Sequence, residues 1–203
     1  MARTVHATIA ALALALAGCG SHTADTGAPS APPAAQADDQ RQIRELVEAQ
    51  AEAFASGDWK TLAELTCAKF RERAADPAAH LVPPIDTFGS REQVTSLTVP
   101  QMSQLLAEQF GGAVPAETLD RAARALVAYD EPAYRVAMLD LMTEATTLSV
   151  DGVDNIQVDG ENATADVTVT RAMGDSAPQT STDTTPFVRE DGRWLDCTDM
   201  GAA

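Results

Sequence analysis

The spacing of apolar residues divides this 203-residue chain into three stretches with different periods. Ala7 to Ala17 are apolar apart from Thr8, a run of eleven residues. A membrane-crossing helix needs roughly 20, so this run matches the short apolar core of an export signal, with Arg3 as its only charge. From Asp38 to Ala145 the apolar residues recur at helical spacing. In "DDQRQIRELVEAQAEAFASGDW", Ile43, Leu46, Val47, Ala53 and Phe54 share one face; Asp38 or Asp39 is placed to cap the helix and "SGD" to end it. Asp58 caps a second helix, with Trp59, Leu62, Ala63, Thr66 and Phe70 as its inward stripe. "DPAAHLVPPIDTFGS" reads as a proline-broken connection. Three further helices follow, in "VPQMSQLLAEQFGG", "VPAETLDRAARALVAYD" and "EPAYRVAMLDLMTEATT". After Thr146 the period becomes two. "TLSVDGVDNIQVDG" is strand-like, and "ENATADVTVTRAM" puts Ala163, Ala165, Val167 and Val169 on one side and threonines with Asp166 on the other. "DTTPFVRED" and "GRWLDCTD" make a hairpin about Asp191-Gly192. Helices followed by an antiparallel meander predict an α+β domain, its helices packed on one face of a curved antiparallel sheet.

The apolar run ends in Leu16-Ala17-Gly18-Cys19. These residues resemble the bacterial lipobox, in which the cysteine is acylated and becomes the mature N-terminus. The expected organisation is a signal peptide over 1–18, a lipidated Cys19 with a disordered tether over 19–37, and one domain over 38–203 with a helical insertion at about 90–145. The tether is Ala, Pro, Ser, Thr, Gly and Asp with little to bury, a composition that does not offset the entropy of ordering. A thioether-linked diacylglycerol plus a further acyl chain such as palmitate holds a protein to a bilayer stably, where one chain alone is marginal. The expected location is therefore the extracytoplasmic face of the cell membrane.

The chain carries 14 basic and 30 acidic residues, a formal charge of −16. Removing residues 1–18, which hold Arg3 and no acid, leaves −17. Such a charge disfavours nucleic acid, whose phosphates call for clustered Lys and Arg, and electrostatic docking on anionic lipid. Three cysteines in an exported chain leave an odd one. If Cys19 is lipidated, Cys67 and Cys197 remain to pair; two free thiols are the alternative, and neither has a metal ligand at ordinary spacing.

With these elements placed, the chain resembles small actinobacterial lipoproteins of mycobacterial type. The resemblance rests on the long helix, the tryptophan helix after "GDW", and "DNIQVDGENATADVTVTR" through "FVREDGRWLDC". It covers about residues 39–70 and 146–199. It implies a cone of the nuclear-transport-factor-two-like or cystatin-like kind; the last segment also resembles the C-terminal domain of the mycobacterial low-molecular-weight antigen. Such cones hold an apolar pocket that serves isomerisation or cyclisation in some relatives and binding or dimerisation in others, so fold alone does not choose. Steroid isomerases of this kind use an Asp base, a Tyr and a protonated Asp. Here the tyrosines are Tyr129 and Tyr134, the latter on an apolar helix face. His80, the one histidine of the expected domain, is the candidate general base, in a loop over the mouth; an exposed loop histidine is the plainer reading. Trp59 is a core residue or a pocket wall. Asp151, Asp154, Asp159 and Glu161 cluster about a strand turn but lack the twelve-residue calcium-loop pattern. No cofactor or metal motif is present. The expected function is binding of a small apolar ligand or an envelope partner, without catalysis. The alternatives are an isomerase- or cyclase-like enzyme using His80 or an internal Asp, and a structural surface antigen.

Overall fold

The computed structural model describes residues 33–111 and 114–199. Cys19, the export signal and most of the expected tether lie outside them. The first helix, α1 (Pro33–Ala55), starts ahead of the expected Asp38. Asp38 and Asp39 are therefore interior residues, not caps. Asp38 pairs with Arg41 and accepts from Gln42. Asp39 is buried and takes the Trp194 indole N–H at 3.2 Å together with the Arg189 guanidinium. That guanidinium also lies over the indole ring, 4.5 Å from its centroid.

Asp58 caps α2 (Trp59–Glu64) as expected, accepting from the Thr61 backbone at 3.0 Å. The helix stops at Glu64, not near Phe70. Thr66 forms a parallel bridge to Asp196, because the Leu65 and Cys67 backbones exchange hydrogen bonds with Asp196. That exchange sets Cys67 beside Cys197, Cα–Cα 5.1 Å, and the two are joined by a disulfide across 130 residues of chain. A short helix, α3 (Arg71–Ala75), follows, and where a broken connection was expected there are short helical turns: α4 (Ala78–Leu81) and a 3₁₀ turn at Ile85–Phe88.

The next four helices, α5 (Arg91–Thr95), α6 (Val99–Phe110), α7 (Ala116–Ala128) and α8 (Glu131–Ala145), pack on one another. Val94, Leu106, Leu126, Tyr134, Met138 and Leu141 are nearly fully buried at their centre. Ser90 with Gln93 and Thr98 with Gln101 form capping boxes, and Asp130 caps α8. Each uses orphan amides of a first turn that would otherwise lack partners.

Helix α8 passes into β1 (Thr146–Asp159) with no intervening residue; β2 (Asn162–Met173), β3 (Gln179–Glu190) and β4 (Arg193–Asp196) complete an antiparallel meander in the order β1-β2-β3-β4. Strand β3 begins at Gln179, earlier than expected. The fold is thus α+β, eight α-helices among the described residues with a curled four-stranded sheet. Two register shifts in β1, after Val150 and after Asp154, bend the strand and raise its twist. Ala163, Ala165 and Val167 face α1, where Ile43, Leu46 and Val47 cover them. The outer face carries hydroxyl pairs, Thr168 with Thr182 at 2.8 Å and Thr170 with Thr180 at 2.6 Å. One face buried and one solvated is the usual reason for a two-residue period. Asp191 and Gly192, at φ 52° and 77°, make the β3–β4 turn with both residues left-handed, as a tight hairpin requires.

The far end of the sheet meets the helices at Gly174. Its amide donates to Ala145 O at 2.7 Å, and its φ is +55°. A Cβ there would lie 2.2 Å from Phe110 O, so only glycine fits.

Candidate functional site

A cleft of about 550 Å³ opens where the helical half meets the sheet. Its first wall comes from the α1–α2 corner. The chain turns at Gly57 and brings Trp59 edge-on to Phe54, ring centroids 5.5 Å apart at 89°. Phe54 was expected on the buried helix face and Trp59 either in the core or on a pocket wall; both are only half buried because they face the cleft.

The direct passage of α8 into β1 builds the second wall. Leu139, Met142 and Thr143 on the last turns of the helix continue into Thr146 and Leu148 on the strand. Thr143 and Thr146 donate their hydroxyl hydrogens to Leu139 O and Met142 O, at 2.8 and 2.7 Å. Their hydrogens are thus used within the helix end, and the wall offers mostly hydrocarbon.

The third wall is the continuation of β2. Side chains on the inner face run Ala163, Ala165, Val167, Val169, and the same period leads to Arg171 and Met173. Both line the cleft, with Arg171 paired in register to Leu148 on β1 and to Gln179 on β3. Arg171 is exposed, forms no ion pair or hydrogen bond with a described residue, and is the only charged side chain lining the cleft among the described residues. Exposed Leu81 and Met173, 39% and 42% accessible, stand at the rim, whereas Leu139 is buried. The cleft is therefore apolar at depth, with one cation at its mouth. Its volume falls within the roughly 300–1,000 Å³ typical of small-molecule sites.

His80 stands elsewhere. It is exposed on α4, a helical turn rather than a loop, and its ring makes no hydrogen bond with a described residue. It borders two smaller recesses, one beside Pro83 and Tyr134, the other beside Trp59 and Arg73. Among the described residues no carboxylate hydrogen-bonds its imidazole. Tyr134 is 1% exposed and donates its hydroxyl to Pro83 O at 2.7 Å. Burial pushes this phenol up to about 12, so it is a neutral structural donor across the usual pH range.

The acids of the first hairpin do not converge. Asp151 accepts from Ser149 and Thr170 on the outer face of the sheet. Among the described residues no group of three or more His, Cys, Asp or Glu is placed to hold a metal ion, and no helix is long and apolar enough to cross a membrane.

Of the expected site residues, the structure thus brings Cys67 and Cys197 together, keeps His80 outside the main cleft and seats Trp59 in it. Sequence reasoning passed over Phe54, Leu81, Arg171 and Met173. The signal for the last two was present, since the alternation read as far as Val169 continues to both. The fold and cleft define an α+β domain with one open, mostly apolar cleft of this size among the described residues. Comparison with protein-family models, curated proteins and solved structures found no match for this chain.

Proposed function

We propose that this chain is a lipid-anchored extracytoplasmic protein that binds a small apolar ligand in the cleft between α8, β2 and the α1–α2 corner. The observation carrying the reading is the half-exposed Phe54 and Trp59 pair, which leaves aromatic surface facing open space instead of the core. Keeping apolar area in water costs about 25 cal/mol per Å², a cost that a ligand covering it recovers. The cone-like architecture belongs to the same proposal. It is supported by the curl of the sheet about α1 and by the cleft, apolar at depth, at one end of the sheet. The lipobox-like Leu16-Ala17-Gly18-Cys19 supports the anchor, and a disulfide suits an oxidising compartment.

The test is a titration of the purified chain with 1-dodecanol, read by Trp59 emission. Trp194 is 4% exposed and supplies a steady background. A saturable shift at one equivalent is expected; a linear, non-saturating response would sink the binding reading. Separately, Cys19→Ser should move the protein from the membrane fraction to the soluble one, and continued attachment of a processed chain would refute the anchor.

A further inference from the structure

The composition of the cleft specifies its ligand more narrowly than "apolar". We infer that it takes a single-chain amphiphile with an anionic head, its tail against Leu139, Met142 and Trp59 and its carboxylate on Arg171. The inference rests on the apolar-ligand reading above and adds the head group to it.

Three observations carry it. Among the described residues Arg171 is the only charged one lining the cleft, and its guanidinium has no partner there. Its neighbours on the same face, Leu148 and Gln179, bring no acid that would neutralise it. The Gln179 side chain also makes no hydrogen bond with a described residue, so its amide is free to add a donor at the same place. Exposure is graded across the site: Arg171, Leu81 and Met173 are open to solvent, while Leu139 is 8% exposed. Head and tail thus have separate places. A planar guanidinium matches a carboxylate through two parallel hydrogen bonds, and the hydrocarbon walls offer no comparable partner to an ammonium or a neutral sugar.

The net charge of the chain makes the inference sharp. A protein of formal charge −16 attracts cations and repels anions through its overall field. Adventitious binding of amphiphiles would therefore favour a cationic head. A preference for the anion has to come from the local group, and Arg171 is the group in place.

The experiment compares dodecanoate, 1-dodecanol and dodecylammonium on the full chain, each below its aggregation concentration, by calorimetry at low salt. Dodecanoate should bind about tenfold more tightly than dodecanol, the scale of one partly exposed charge-assisted contact, and dodecylammonium most weakly. Arg171→Gln should bring dodecanoate affinity to that of dodecanol measured on the same variant, and an unchanged melting temperature would show that the variant is folded. Arg171→Lys should keep part of the preference, since a point charge replaces the fork. Raising the salt should shrink the preference in the native chain. Equal binding of dodecanoate and dodecanol, tighter binding of the ammonium, or an anion preference surviving Arg171→Gln would each overturn the head-group assignment alone. If none of the three probes binds saturably, the apolar-ligand reading falls and this inference with it.

Discussion

The two hydrophobic cores of this domain are held by different means. Every buried member of the helical core lies between Val82 and Ala145. The sheet core joins Ile43, Leu46 and Val47 to residues from Val153 to Trp194, more than a hundred positions away. Local contacts close short loops and form at little entropic cost, whereas distant ones require long loops to be closed first. The reinforcements are distributed accordingly. The helical core has capping boxes at Ser90 and Thr98. The sheet core has the Cys67–Cys197 disulfide and the Asp39–Arg189–Trp194 cluster, spanning 130 to 155 residues. Long-range staples stand where the core is long-range.

The largest test of this contrast is removal of the disulfide. Closing a loop of 130 residues stabilises by about 4–5 kcal/mol in the chain-entropy view, and by about 2–5 in small exported domains. Reduction, or the Cys67→Ser/Cys197→Ser pair, should lower unfolding free energy in urea by about 4 kcal/mol. Hydrogen exchange should show α1 and β4 losing protection before α7 and α8. Uniform loss across both cores would mean that the two are one cooperative unit.

Asp39→Ala comes next. It strands the Trp194 indole N–H and leaves Arg189, only 26% exposed, without its carboxylate. Removing one partner from such a pair costs about 3 kcal/mol, again borne by the sheet core. Asp39→Asn should recover part of the loss, because it keeps an acceptor for the indole. Equal melting temperatures for Asp39→Ala and the native protein would break the assignment of this cluster as a staple.

The contrast also explains what could be read from the sequence. Both helix-rich and strand-rich stretches were legible, because Ile43-Leu46-Val47 and Ala163-Ala165-Val167 carry clean periods of 3.6 and 2. The Asp58 cap and the Asp191-Gly192 turn were legible because each is a local signal with its partner a few residues away. What escaped depends on distance. Asp39 looks like a cap until β4 brings Trp194 against it. The second helix is ended by pairing with Asp196, a residue 130 positions later than Thr66. Phe54 and Trp59 fit a core stripe, and only the placement of α8 and β2 leaves space before them. The short α4 and the 3₁₀ turn after it lie in a proline-rich segment whose local pattern has no sustained period. Arg171 was within reach of the alternation rule, but a lone arginine near a strand end draws no notice until the cleft is seen.

Gly174→Ala acts on the joint between the cores. The added Cβ meets the Phe110 carbonyl in a left-handed conformation, φ +55°, which alone costs an L-residue about 1–2 kcal/mol. A loss of about 2–3 kcal/mol is expected, with weaker dodecanol binding because Met173 precedes the displaced turn at the cleft rim. A stability loss with unchanged binding would separate the joint from the cleft.

The smallest effect belongs to the helical core and has a pH signature. Tyr134 donates to Pro83 O from a buried position, and Tyr134→Phe removes that bond at a cost of about 1 kcal/mol. Its phenol rises from the ordinary 10.0 to about 12 on folding because burial penalises the phenolate. The folded state therefore holds the proton more tightly than the unfolded one. This contribution is complete below pH 10 and is lost as pH rises through about 12. In urea titrations across that range, native stability should fall more steeply than that of Tyr134→Phe. The difference between the two should narrow toward pH 12, with the sheet-core amides unaffected by the substitution. A parallel pair of pH curves would show that Tyr134 ionises alike in both states and that the helical core leaves its hydroxyl in contact with water.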